Sequence, residues 1–458
     1  MAGSAHRRAV GVSAVLLGAN AASYLLTIVA ARLLDVPAFG ELSALMALLV
    51  IGVVPAMSAQ TGIALHVAGT GGGRAALRGS VGLGLAVGVA VAGVVALAAP
   101  ALTAVLHLSG WSAALVLPLA LLPFPVAGAL AGVLQGRQRF GTLALLLGVE
   151  TVGRAGGGIA GLVVGRTPAA VLVGVAAGMV ASTVFGWLLC GRPVPGVPSR
   201  ALVRRVSHAA YATIGLVLLL NLDVLLARHV LSAEQSGVYA VGLIVTKVAY
   251  WLPQAVGVLV LPRLADPSVR RGAVRSALLA VLVVDAPVVV ACAAAGSWLL
   301  PLLGGGRYSA ASAPLWLFAL TGLLLAVAQI LLYSRIAGAE LRPMAAVWVA
   351  AAVEAVLVLT WLDGGVGQVA AAATVAAGLL VAVGLLVERG AGHPHGGGDD
   401  GADGGEHGEL GGGAVRPRLP VPRQPLHDGD GGGDRHPGGG DRYEQAGPHL
   451  PQQHGGDQ

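Results

Sequence analysis

Lys247 is the only lysine in the 458-residue chain, and it lies inside an apolar run, Leu243-Ile244-Val245-Thr246-Lys247-Val248-Ala249. An ionised group at the centre of a bilayer costs roughly 2.5–3.5 kcal/mol on insertion scales. Such a residue needs either a partner inside a helix bundle or a wet cavity. At helical spacing Lys247 shares a face with Tyr250, Trp251 and Gln254, which suits a cavity cation meeting an anionic substrate group. A lysine that snorkels or is paired within the bundle is the competing reading. Glu150 and Arg154 stand four apart in another apolar run, with Gly157 and Gly158 continuing their face. That spacing permits an intrahelical ion pair, or else Arg154 adds a second cation to the cavity.

Three carboxylates sit in further apolar runs: Asp223, Asp285 and Glu354. Each suits a salt bridge or a coupling proton. Asp285 precedes Pro287 by two residues, so it is predicted to lie at a helix bend. Asn20, with Ser13, Tyr24 and Thr27, forms a polar stripe suited to hydrogen bonds between helices. Arg32 and Arg228 close apolar runs, where snorkelling is the simplest expectation. Cys190 and Cys292 read as small buried hydrophobes without metal-ligand spacing. There is no nucleophile elbow, Gly-Lys-Ser/Thr phosphate loop, loop-borne carboxylate pair or metal cluster. The sequence therefore reads as a non-enzyme without cofactor or metal. Transport without an ATP site would draw on an ion gradient, the membrane potential or the substrate's own gradient.

The elements that carry these residues are predicted to be membrane spans. Hydrophobic residues make up 56% of the chain, charged residues only 11%, and the mean hydropathy is +0.80. A water-facing surface cannot be covered with so few charges, whereas a span needs only about 20 apolar residues. Twelve spans are expected, at 10–33, 42–66, 80–105, 112–134, 142–164, 168–190, 208–230, 238–262, 276–302, 313–334, 343–362 and 367–387. The first is expected to stay uncleaved, because the run is too long for a signal peptide and no small-residue cleavage site ends it. With this count, 17 arginines fall in the loops of one side, among them Arg74, Arg78, Arg137, Arg139, Arg192, Arg200, Arg204 and Arg205. Only Arg32, Arg166, Arg228 and Arg307 fall on the other. The positive-inside rule then places both termini in the cytoplasm.

The second half echoes the first. Ala31-Arg32, Gly40, Ala44 and Pro55 are matched by Ala227-Arg228, Gly237, Ala240 and Pro253. The arginines are 196 apart, the glycines 197 and the prolines 198, while Asn20 and Asn221 fit less well at 201. Gly136 and Gly338, at 202, and Glu150 and Glu354, at 204, continue the drift. An ordered set at a drifting offset indicates a repeat. Six spans per half is an even number, so the halves share one orientation about an axis along the membrane normal, with a cavity between them.

Ser23-Tyr24 through Ala31-Arg32-Leu33-Leu34 and Phe39-Gly40-Glu41-Leu42 resemble the start of bacterial polysaccharide-biosynthesis flippases. Leu134-Gln135-Gly136-Arg137-Gln138-Arg139-Phe140-Gly141 also resembles these proteins, which belong to the multidrug/oligosaccharidyl-lipid/polysaccharide exporter superfamily. The likeness extends over about residues 8–388 through diffuse motifs. It implies a flippase in the bacterial inner membrane that carries a lipid-linked (undecaprenyl-diphosphate) oligosaccharide to the outer leaflet by alternating access. It also implies a basic cavity for the diphosphate, which Lys247 and Arg154 would supply. The implied partners are the lipid-linked oligosaccharide, membrane lipids, and glycosyltransferases or a polymerase of the same pathway, with no nucleic acid. A drug/cation antiporter of the same superfamily is the runner-up, although span one lacks the acidic residues it would want. A non-transporting scaffold of a cell-wall assembly complex is a third reading.

The expected organisation is an N-terminal six-helix bundle over 1–190, a basic linker over 191–207, a C-terminal bundle over 208–390 and a tail over 391–458. Residues 1–390 carry 23 Lys/Arg against 11 Asp/Glu, whereas the tail carries 5 against 11 and seven of the 12 histidines. The tail is rich in Gly, Pro, Asp and His, a composition that predicts disorder. It also resembles the out-of-frame product of a GC-rich reading frame.

Overall fold

Short polar side chains start the helices where hydropathy alone gives no edge. The Asp35 carboxylate accepts from Ala38 N at 2.8 Å, the Thr167 hydroxyl from Ala170 N at 3.2 Å and the Ser199 hydroxyl from Leu202 N at 3.2 Å. Ser232 and Gln235 form a reciprocal capping box. Each cap satisfies amide groups that the first helical turn leaves without partners. Asp35 and Ser232 cap helices in corresponding places of the two halves, 197 residues apart.

The computed structural model describes residues 25–71, 73–253, 270–336 and 343–390. The chain divides into two units, Met1–Gly396 and Gly397–Gln458, and every described residue belongs to the first. Asn20, Ser13, Tyr24, Gln254 and the predicted tail lie outside the described residues.

The described helices are α1 (25–33), α2 (Val36–Thr70), α3 (Arg74–Val105), α4 (Trp111–Leu121), α5 (Pro123–Gly136), α6 (Phe140–Gly165) and α7 (Pro168–Leu189). They continue as α8 (Arg200–Val230), α9 (Ala233–Trp251), α10 (Arg270–Gly304), α11 (Leu315–Ile336), α12 (Pro343–Thr360) and α13 (Val366–Gly390). No strand occurs among the described residues. Eight spans are long and apolar enough to cross a bilayer, with α4 and α5 forming one of them. The protein is an all-α, multi-pass membrane protein. Helices suit that environment because they satisfy their own backbone groups where water cannot.

Several helices run past the apolar stretches that predict them. α2 begins at Val36 rather than 42, because the Asp35 cap starts it before the hydrophobic run. α8 begins at Arg200, inside the segment expected to be a linker, on its Ser199 cap. The described part of α9 ends at Trp251, so Lys247 lies one turn from that end. α10 stays helical through Pro287, and its non-helical residue is Ala295. The bend predicted beside Asp285 therefore lies ten residues farther on. Gly296 and the ring of Pro301, which opposes the carbonyl of Ser297, make this stretch the weaker one.

Packing divides the helices into two sets. α2 to α7 pack among themselves, as do α8 to α13, and α2 joins the sets by lying against α8 and α9. Gly40 of α2 meets α9, where an added Cβ would stand 2.6 Å from Ser236 Oγ and 2.8 Å from Gly237 N. Gly237 in turn lies against the carbonyl oxygen of Val36. The two repeat-related glycines are thus the crossing point of α2 and α9, where only a bare Cα fits.

The apolar cores follow a depth pattern. At the end that holds Leu34, Leu106, Leu231 and Tyr308, buried residues of both sets form one continuous core. Toward the opposite end the core divides. One branch lies within the second set, around Leu219, Val281, Ile330 and Val347. Another lies within the first, around Leu130, Leu134 and Leu146. A smaller cluster holds Leu202 and Val206 of α8 against Ile63 and Val67 of α2. The loops carrying Arg137, Arg139 and Arg192 lie at this divided end.

Candidate functional site

Along their own helices, the ionisable residues singled out from the sequence fall between residues of different core clusters. Asp223 sits between Leu219 of the second set's core and Val224 of the shared core, and Lys247 between Tyr250 and Val245. Glu354 sits between Ala351 and Val358, and Asp285 between Val281 and Cys292. In the first set, Glu150 and Arg154 lie between Leu146 of its own core and Leu162 of the shared core. Six ionisable side chains on five helices thus lie inside the predicted spans. Ionisable groups within spans are characteristic of substrate and ion pathways.

Within the second set, three helices build a buried polar cluster. Asp223 of α8 takes a hydrogen bond from Val224 N at 2.8 Å and one from the Tyr239 hydroxyl of α9 at 3.1 Å. The Tyr239 ring is fully buried and meets the edge of Phe318 at a centroid distance of 5.0 Å. Glu354 of α12 lies in electrostatic range of both Asp223 and Tyr239, and Lys247 in range of Asp223. Lys247 is partly exposed, Tyr250 beside it is buried, and Trp251 is 39% exposed with its ring set edge-on to Tyr250. Lys247, Tyr250 and Trp251 therefore do gather at the end of α9, although Tyr250 turns into the bundle.

Glu150 and Arg154 lie in electrostatic range of one another along α6, as their spacing predicts. One carboxylate oxygen of Glu150, one of Glu354 and both of Asp285 are buried without a hydrogen-bond partner among the described residues. Buried acceptors without partners are costly, so three helices hold unmet acceptor capacity inside the bundle. α6 packs on α7 and α5, whereas α9 packs on α2, α8, α10, α11 and α13. Arg154 and Lys247 thus belong to different sets of helices.

The contacts of Tyr239, and those of Glu41 and Arg228 at the end with the shared core, are not legible from the sequence. Tyr239 looks like an aromatic core residue until α9 is laid against α8. Arg228 is no snorkelling residue. It is 5% exposed, and its guanidinium donates to Leu106 O, His107 O and Ser236 Oγ, each at 2.9 Å. Arg32 likewise donates to Leu302 O at 2.6 Å. Tyr239→Phe keeps the ring against Phe318 and removes one hydrogen bond to a carboxylate. That change is expected to destabilise the fold by about 1.5–3 kcal/mol. Thermal unfolding of the purified protein in detergent would show a lower midpoint, and an unchanged midpoint would remove Tyr239 from the cluster.

Solved structures match this arrangement of helices. A structure of the lipid II flippase MurJ in an inward closed conformation superposes with a TM-score of 0.65 at 13% identity, covering 82% of this chain and 87% of that one. An inward-facing multidrug resistance MATE family transporter of the MOP superfamily gives 0.61 at 12% identity, over 80% and 94%. A eukaryotic MATE transporter gives 0.56 at 14% identity, over 84% and 96%. No family model matches the chain, and no curated protein matches it. The fold is the one these flippase and exporter structures share.

Proposed function

We propose that this protein is a transporter that moves a lipid-linked oligosaccharide across the bacterial inner membrane by alternating access. The observation that carries the reading is the set of ionisable residues inside the spans, each placed between the common core and a separate one along its helix. A fold with one shared core at one end and, at the other, separate cores linked where α8 packs on α2 suits a central site opened by rocking one set of helices against the other. The arginine-rich divided end would face the cytoplasm. Lys247 and Arg154 would meet the diphosphate of an undecaprenyl-diphosphate carrier, with Glu150, Tyr250, Trp251, Gln254 and Asn20 around the head group. Asp223, Asp285 and Glu354 would hold the coupling ion or balance the cations. The halves 1–190 and 208–390 would be the moving bodies, joined by 191–207.

The sequence resemblance to polysaccharide flippases and the lipid flippase among the structural matches support a lipid-linked substrate. The buried acids Asp223, Glu354 and Asp285 favour the second reading, an antiporter of cationic drugs. One reconstitution separates the two. The purified full chain in liposomes is expected to make a fluorescent undecaprenyl-diphosphate oligosaccharide accessible to quencher on the far leaflet, and to leave a preloaded cationic dye in place. Dye efflux with no lipid movement would favour the antiporter, and neither movement would support a scaffold.

A further inference from the structure

Arg32 and Arg228 occupy equivalent positions, and so do the carbonyls they bind. Arg228, at the end of α8, donates to Leu106 O at the end of α3. Arg32, at the end of α1, donates to Leu302 O in the last turn of α10. The arginines are 196 residues apart and the acceptors, Leu106 and Leu302, are also 196 apart. One contact is therefore made twice, each time from a helix of one half to the end of a helix in the other. Arg307 adds a reverse tie, donating to Leu34 O at 2.5 Å.

The two ties differ in burial. Arg32 is exposed, whereas Arg228 is buried and further held by Glu41 of α2, whose Oε2 lies 3.9 Å from its Nη2. Glu41 is itself fixed by Ser109 N at 3.0 Å and Ser109 Oγ at 3.1 Å. The residue in the place of Glu41 in the second half is Val238, so only Arg228 has an acid. His107 and His229, from opposite halves, stack their rings 5.8 Å apart beside it, and His229 Nδ1 lies 2.8 Å from Val105 O. Buried charged hydrogen bonds of this kind are strong while made and costly when one partner is lost.

We infer that Arg228 and Glu41 form the latch that holds the fused end of the molecule shut, with Arg32 as a weaker repeat-related copy. Opening on that side requires the Arg228 guanidinium to leave the carbonyls of Leu106 and His107 and the Glu41 carboxylate together. Because the tie is asymmetric, the halves separate first around Arg32 and Leu302 and last around Arg228. The consequence for release of cargo rests on the transporter reading, but the latch does not.

Cross-linking tests it without any substrate. In a chain with Cys190 and Cys292 changed to alanine, cysteines at His107 and His229 report whether the two halves are together. A short bifunctional thiol reagent is expected to join them rapidly in the membrane. Arg228→Ala in this background should slow cross-linking about tenfold, as the closed population falls. Arg32→Ala should slow it less. Glu41→Gln, which retains an acceptor for Ser109, should also slow it and covers the case in which Arg228→Ala fails to insert. Cross-linking as fast in Arg228→Ala and Glu41→Gln as in their parent would overturn the latch. A lipid-transport assay that fails while these rates shift would overturn the transporter reading alone.

Discussion

Gly174→Leu is expected to abolish recovery of the folded protein, while Gly156→Leu, on the adjoining helix, leaves it intact. α6 and α7 meet along Gly153, Gly157 and Gly161 on one side and Ala170, Gly174 and Gly178 on the other. A Cβ at Gly174 would fall on the carbonyl oxygen of Gly157, and one at Gly157 on that of Gly174. Both obstacles are helical backbone, so no side chain can swing away. Overpacking an ordinary core costs about 1–3 kcal/mol, and a leucine forced between two backbones lies at or above the top of that range. Beyond α7, α6 meets α5 and Leu26 of α1 among the described residues, and much of its surface faces outward. An added Cβ at Gly156 meets nothing within 4 Å, and leucine there gains about 1 kcal/mol of helix propensity. Yield, a single size-exclusion peak in detergent and the unfolding midpoint measure both variants. If Gly174→Leu is as stable as Gly156→Leu, the close approach of α6 and α7 is not as described.

That contrast marks the limit of what the sequence makes legible. Depth is legible, because apolar runs and alternating arginines report when the chain enters and leaves hydrocarbon. The repeat is legible too: the offset linking Arg32 with Arg228 and Gly40 with Gly237 predicts equivalent roles, and the structure gives each pair one. Azimuth is not legible. An all-round apolar helix hides which face meets another helix, so nothing in α6 separates Gly156 from Gly157. Partners supplied by distant backbone are equally hidden. Leu106 O and His107 O capture Arg228 only after two halves of the chain meet, and before that an arginine at a span end looks like one that snorkels. Helix ends are obscured for a third reason. Caps such as Asp35 and Ser199 extend a helix beyond the hydrocarbon-length run, so hydropathy underestimates α2 and α8.

Lys247→Gln is expected to insert and purify normally yet move lipid-linked oligosaccharide at least about 30-fold more slowly, the factor corresponding to a loss of 2 kcal/mol. Removing one member of a desolvated charge pair costs about 2–5 kcal/mol, and in this reading the pair is Lys247 with a phosphate of the carrier. Lys247 has Asp223 in electrostatic range, which raises the alternative of a structural ion pair. Stability and transport measured together separate the two. The Asp223 carboxylate is buried and accepts from Val224 N and the Tyr239 hydroxyl. A structural pair would make Lys247→Gln lower the unfolding midpoint, with transport falling only as folded protein is lost. A substrate contact would make transport fall at an unchanged midpoint, and Lys247→Arg, which keeps the charge, would restore most of it. Arg154→Gln should slow transport less, because Glu150 one turn earlier already opposes that charge along α6. Charge reversal is the poorer probe, since a glutamate at position 247 would join Asp223 and Glu354 and burden the fold with a third acid. Transport at the parent rate by a well-folded Lys247→Gln would take the cation out of the path. The fused and divided cores would then describe a moving structure whose cargo is recognised elsewhere.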